Sequence, residues 1–123
     1  MLDNITINRV ELRGRIGQDP KIAEAGGSKV ARFSIATSEI YKDRTGVIQE
    51  EITWHNVTAW AGKNIEDFSR LKKGSLVTVN GRIRNTKYTS VEGEDRHYTD
   101  IVANRLVLIP VRPGQEEEST AQR

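Results

Sequence analysis

The stretch "EITWHNVTAW", residues 51–60, carries both tryptophans of the chain. Side chains on a strand alternate between faces, so Ile52, Trp54, Asn56, Thr58 and Trp60 share one side and His55, Val57 and Ala59 the other. The second set is small and mostly apolar. It belongs against a core, which turns both indoles toward water. A second stretch, "SLVTVNGRIRNTKYT", follows the same rule. With Val77, Val79, Gly81 and Ile83 inward, its outer row is Thr78, Asn80, Arg82, Arg84, Thr86 and Tyr88. Tyr41 stands in "SEIYKDR", beside Lys42 and Arg44. Arg15, Lys63, Lys72, Lys73 and Lys87 extend the set of candidate cations.

Flat rings set between cations suit an unpaired nucleic-acid strand. Every base has a π-face, so stacking tolerates any sequence, at roughly 1–3 kcal/mol per base. Arg and Lys meet phosphates and release counterions, which adds affinity without base readout. Trp54 and Trp60 on one strand stand roughly 20 Å apart, room for several bases. Duplex DNA hides its π-faces, so such a surface prefers a single strand. An outward aromatic can equally cover a helix, fill a subunit interface or brace a cross-strand neighbour. Two indoles on one face, with Tyr88 and two arginines on the next, favour binding over packing.

Catalytic chemistry has less support. The two histidines are isolated and cysteine is absent, so neither a transition-metal site nor a disulfide is expected. His55 points inward beside Val57 and reads as a core or interface histidine; the sequence places no partner for His97. "GRIGQD" lacks the glycine spacing of a dinucleotide loop, and "AGKN" and "KKGS" lack that of a phosphate loop. "NIT" and "NVT" match the glycosylation pattern by chance. No serine stands in a nucleophile elbow, and Glu50–Glu51 reads as a solvated pair. No catalytic set assembles, and neither a metal nor another cofactor is expected.

The elements that would position these side chains are mostly strands. Val10, Leu12, Gly14 and Ile16 alternate with polar residues in "NRVELRGRI", and Ala31, Phe33 and Ile35 do so in "KVARFSIATSE". With the two stretches above and "RHYTDIVANRLVLI", this makes five β-like runs, joined by the turn-rich loops "AGGSK", "KDRTG" and "VEGED". Between the third and fourth runs, "GKNIEDFSRLKKGS" spaces Ile65, Phe68 and Leu71 helically, with Lys72 and Lys73 near a carboxyl end and Gly74 to stop it. The order β-β-β-α-β-β predicts an all-β fold: a five-stranded OB-fold barrel with one helix between strands three and four. An SH3-like barrel or a sandwich fits that helix less well.

At 123 residues, 36% hydrophobic and 29% charged, the chain reads as one domain over residues 1–109 and a short tail, 110–123, expected to be disordered. Net charge is +2, which permits a polyanionic partner without demanding one. No apolar run approaches the ~20 residues of a membrane span. "MLDNITINRVEL" lacks the basic and apolar regions of a secretory leader, so a cytoplasmic address is expected.

"NRVELRGRIGQDP", "KVARFSIATSEIYKDRTG", "EEITWHNVTAWAGK", "LKKGSLVTVNGRIRNTKYT" and "DRHYTDIVANRLVLI" together resemble the bacterial-type single-stranded DNA-binding proteins, over residues 5–109. The resemblance implies an OB-fold that coats single-stranded DNA in replication, recombination and repair, assembled as a homotetramer (a homodimer being the alternative) and associated with the nucleoid. It also implies that Tyr41, Trp54, Trp60 and Tyr88 stack on bases and that His55 serves subunit association. Family tails usually finish in an acidic tip with a terminal Pro-Phe. This sequence finishes in "EEESTAQR", a departure that puts recruitment of repair and replication proteins through such a tip in doubt. Competing readings are a primosome-type accessory OB-fold protein, an OB-fold nuclease, for which no Asp/Glu/Arg cluster is visible, and a non-DNA assembly or oligosaccharide-binding barrel.

Overall fold

Alternation carries from sequence into structure along most of the chain. In the computed structural model, which describes residues 5–111, the strands are β1 (Val10–Ile16), β2 (Lys21–Ala25), β3 (Ser28–Lys42), β4 (Ile48–Trp60), β5 (Leu76–Thr89) and β6 (Asp95–Leu108). They pair in the order β1-β5-β6-β4-β3-β2, and β1 also pairs with β3. That last pairing closes five of the strands into a barrel, with β4 and β6 parallel and the other pairs antiparallel. The expected five-stranded all-β barrel is therefore present.

The inward rows form the core: Ile16, Ala31, Phe33, Ile35, Val57, Ala59, Val77, Val79, Ile101, Ala103 and Leu106, with Leu71 from the segment before β5. Closure depends on Gly14. A Cβ there would stand 2.3 Å from the carbonyl oxygen of Ala36, so only a residue without a side chain lets β1 meet β3. Gly81 has the same role opposite β6, where a Cβ would lie 2.1 Å from the Val102 carbonyl oxygen. The β5–β6 register shifts beside it, between Asn80 and Gly81.

Three features differ from expectation. The predicted helix between the third and fourth runs is absent; a single 3-10 turn, Phe68–Arg70, stands in its place. The backbone before it is used in another way. The Leu106 amide donates to the Asn64 carbonyl at 2.9 Å and the Glu66 amide to the Leu106 carbonyl at 2.8 Å, so this segment pairs with β6. Asp67 then caps the turn by accepting from the Ser69 amide. Ile65, Phe68 and Leu71 do face the core, but their strict spacing of three is the period of a 3-10 turn.

The second difference is an additional strand. β2 folds back on β3 across Gly26 and Gly27, whose φ values of 61° and 81° make the two-residue turn that suits a hairpin. Every residue of β2 is exposed, so no apolar alternation marks it in the sequence. Third, Ile83 lies on the inward row yet is 49% exposed. From there the β5–β6 hairpin runs out past the barrel. The Asn8 side chain pairs with it instead, donating to the Ile83 carbonyl and accepting from its amide.

Candidate nucleic-acid interface

Both indoles lie on the outer face of β4, opposite its buried Val57 and Ala59. Trp54 is 59% exposed and Trp60 41%. Neither is sealed in the protomer. Trp54 pairs across β3 with Ala36, and Ala36 pairs in turn with Arg15 of β1. The small residues beside it are what let the ring pack so close: a Cβ on Gly17 would be 2.5 Å from its Cζ3 and 3.0 Å from its Cη2. Nothing local in the sequence marks Gly17 as an indole's neighbour.

Arg15 donates to the Gly74 carbonyl at 3.0 Å, which places it beside the loop of Lys72 and Lys73. The Lys73 amide donates in turn to Asp19. Arg15, Lys72 and Lys73 therefore gather near the Trp54 end of the face. Lys63 is exposed in the turn that follows Trp60. Arg82, Lys87 and Tyr88 are exposed on β5, and Lys87 makes a surface ion pair with Asp95 at 3.2 Å.

Arg84 shares the outer row, but its guanidinium is occupied. Nε donates to Asp100 Oδ1 at 3.1 Å and Nη2 to Oδ2 at 2.8 Å, while Thr58 Oγ1 donates to the same Oδ2 at 2.6 Å. Asp100 is 2% exposed. Burial pushes its pKa up, but hydrogen bonds from Arg84 and Thr58 and the charges of Arg84 and Arg32 outweigh burial and hold it below the ordinary carboxylate value. The same Arg84–Asp100 bonds raise Arg84. Parity makes Arg84 an open cation; the structure makes it the partner of a buried carboxylate.

Tyr98 and Arg32 join the face although the sequence reading does not single them out. Tyr98 pairs with Thr86, two residues from Tyr88, and is 41% exposed. Arg32 of β3 pairs with Thr58 and is exposed. A signal for Tyr98 is present in "RHYTDIV", since strand parity puts Tyr98 and Asp100 on one side.

Tyr41 stands apart. It is 50% exposed, but along β3 it falls on the row of Thr37 and Glu39, whereas the row of Ala36 is the one that meets Trp54. It lies at the end of the β3–β4 hairpin, next to Lys42, the last residue of β3, and the loop holding Arg44. Asp43 organises that loop: its Oδ1 accepts from the Thr45 amide and hydroxyl and from the Val47 amide, and Oδ2 accepts from Gln49. The Thr45 and Gln49 side chains, with the Val47 amide, lower Asp43 to about 2. His55 is half-buried on the side opposite the indoles, its Nε2 2.9 Å from Thr37 Oγ1.

Among the described residues no three His, Cys, Asp or Glu side chains are grouped to hold a metal ion. No described helix is long and apolar enough to cross a membrane. The expectation of a disordered tail without an acidic tip falls, from residue 112 onward, outside the described residues.

Residues 7–109 match the model of the single-strand binding protein family. A single-stranded DNA-binding protein of Neisseria meningitidis is 40% identical over 116 residues, covering 94% of this chain and 65% of the relative. One from Xanthomonas campestris is 40% identical over 105 residues, covering 84% of this chain and 60% of the relative. The chain thus spans less than two-thirds of the length of these curated relatives. Among solved structures, a Plasmodium falciparum single-strand binding protein in complex with single-stranded DNA superposes with a TM-score of 0.77 at 28% identity, over 89% of this chain and all of that one. A deletion mutant of the Thermus aquaticus single-stranded DNA-binding protein shares the fold, with a TM-score of 0.72 at 21% identity over 86% of this chain and 52% of that one. By sequence and by barrel, this chain belongs to the single-strand binding protein family.

Proposed function

We propose that this chain binds single-stranded DNA without sequence preference and coats it during replication, recombination and repair. One observation carries the reading: Trp54 and Trp60 are both open to solvent on a single outer face that also bears Tyr88 and Arg82. The relatives named for single-stranded DNA binding, and the related complex with that ligand, support it. Bases stack on the rings, and Arg15, Arg82, Lys63, Lys72, Lys73 and Lys87 meet phosphates. Tyr41, Lys42 and Arg44 serve a strand that continues past the end of the β3–β4 hairpin. The reading includes no catalytic step and places the protein in the cytoplasm, at the nucleoid.

The working assembly in this proposal is a homotetramer, with His55 on the side that faces another subunit. Ile5, Ile7 and Ile83 are 90%, 76% and 49% exposed, apolar surface that a subunit interface would cover.

Titration with oligo-dT tests the face directly. Tryptophan emission should be quenched as both rings are covered. Trp54→Ala with Trp60→Ala should weaken binding by about 2–5 kcal/mol, two stacks at ~1–3 kcal/mol each and not fully additive. Wild-type affinity in the double variant would refute the reading.

A further inference from the structure

Four strands meet in one row across the outer face, between the levels of Trp54 and Trp60. β3 contributes Arg32, β4 Thr58, β6 Asp100 and β5 Arg84. The carboxylate at the centre is enclosed, and Arg84 and Thr58 hold both of its oxygens. A bidentate pair engages two donors along one edge of the guanidinium and leaves its flat face available. The Arg84 side chain is 38% exposed. Beside it runs a groove of about 510 Å³, lined by Arg32, Arg84, Thr86, Tyr88, Tyr98 and Asp100.

We propose that Asp100 is a positioning residue that turns Arg84 from a phosphate ligand into a flat, charge-compensated stacking surface, and that Arg32 across the groove is the phosphate contact of this subsite. Two guanidiniums and one carboxylate leave a single positive charge in the row, the charge needed for one phosphate. Tyr98 and Tyr88 on the hairpin supply rings for the attached base. A guanidinium plane stacks on an aromatic base as well as it pairs with an anion. Arg84 therefore helps hold DNA without displacing counterions, because Asp100 has already compensated its charge. The assignment rests on the outer face being the path of the strand.

Salt dependence separates the two arginines. Oligo-dT affinity would be measured by tryptophan quenching across a salt series. Arg32→Met should make the log–log slope shallower by about 0.7, the value for one phosphate contact on a single strand. Arg84→Met combined with Asp100→Asn removes the pair together, so no buried carboxylate is left unpartnered. It should lower affinity about fivefold at every salt concentration, the scale of one weak stack, with the slope unchanged. Asp100→Asn alone should steepen the slope by about 0.7 as Arg84 regains its charge toward the strand. Should that variant fail to fold, Arg32→Met and the paired variant still decide the matter, since Arg32 is exposed and outside the Arg84–Asp100 pair. A shallower slope in the paired variant, or an unchanged slope in Arg32→Met, overturns the assignment. Undiminished affinity in the Trp54/Trp60 double variant would instead remove the face itself, whatever the slopes.

Discussion

Gly17 offers a test of the stacking face that leaves every ring and every cation in place. A methyl group at Gly17 would sit 2.5 Å from Trp54 Cζ3, where ordinary contact begins at 3.4 Å, so the ring edge must retreat by about 0.9 Å. Nothing forces that retreat into the core, because Trp54 is 59% exposed and can tilt toward water. The strain stays within that of a partly off-rotamer side chain, of order 0.5–1.5 kcal/mol at ~30°. Folding should therefore suffer little. Binding should suffer more, because a tilted ring no longer presents the same plane to a base. Part of one stack, about 1 kcal/mol, is lost in Gly17→Ala, or about fivefold in Kd. Gly17→Val, with a bulkier group, should approach the loss seen in Trp54→Ala. The assay is oligo-dT titration of the parent protein and of the Gly17→Ala and Gly17→Val variants, with urea denaturation in parallel. The same substitutions on a Trp54→Ala background should change affinity by nothing measurable, as expected when one residue acts only through the other. Equal affinities across the series, or equal losses with and without Trp54, would refute the reasoning.

Gly14→Ala should behave in the opposite way, costing stability first: its Cβ meets backbone, at 2.3 Å from the Ala36 oxygen, and the barrel seam must open. A loss above about 2 kcal/mol by urea denaturation is expected, within the range for overpacking. Acid should weaken the fold through Asp100. Its folded pKa lies below the unfolded value, so its stabilisation is complete above about pH 4 and is lost as pH falls through the lowered value. Asp100→Asn should accordingly narrow the stability difference between pH 7 and pH 3; an equal difference in both proteins would count against the pair.

Period-two alternation makes most of the core legible, because each inward row of β1, β3, β4 and β5 is bounded by polar neighbours. It fails where pairing is decided by distant residues. Ile83 keeps the inward parity but is half out of the barrel, since only the extent of the β5–β6 hairpin shows where the wall ends. The spacing of Ile65, Phe68 and Leu71 locates a core-facing segment and misjudges its backbone, because the competing hydrogen bonds come from Leu106, far along the chain. The indoles are legible for the reason that makes them odd: they sit opposite small apolar residues. The occupied state of Arg84 is not, as parity alone cannot pair positions 84 and 100. A hint exists in "YTDIVA", where an acid stands directly before an apolar run. A carboxylate there must find a cation or stay protonated.

Indifference to base identity, on the reading proposed above, follows from which groups the outer face leaves uncommitted. Reading a base requires hydrogen-bonding edges aimed at it. The polar side chains of this face spend such edges on one another: Arg13 donates to Thr78, Asn80 to Glu11, Asn56 to the Thr99 carbonyl, and Thr58 and Arg84 to Asp100. No buried side-chain polar atom among the described residues lacks a partner, so none is held in reserve to reward a matching base. The groups this reading offers to a strand are ring faces and flexible cations, which all four bases and every phosphate satisfy alike. The internal bonds that brace the sheet are thus the same bonds that keep it from discriminating. Releasing Arg84 by Asp100→Asn adds a phosphate contact, so it should change affinity alike for every base.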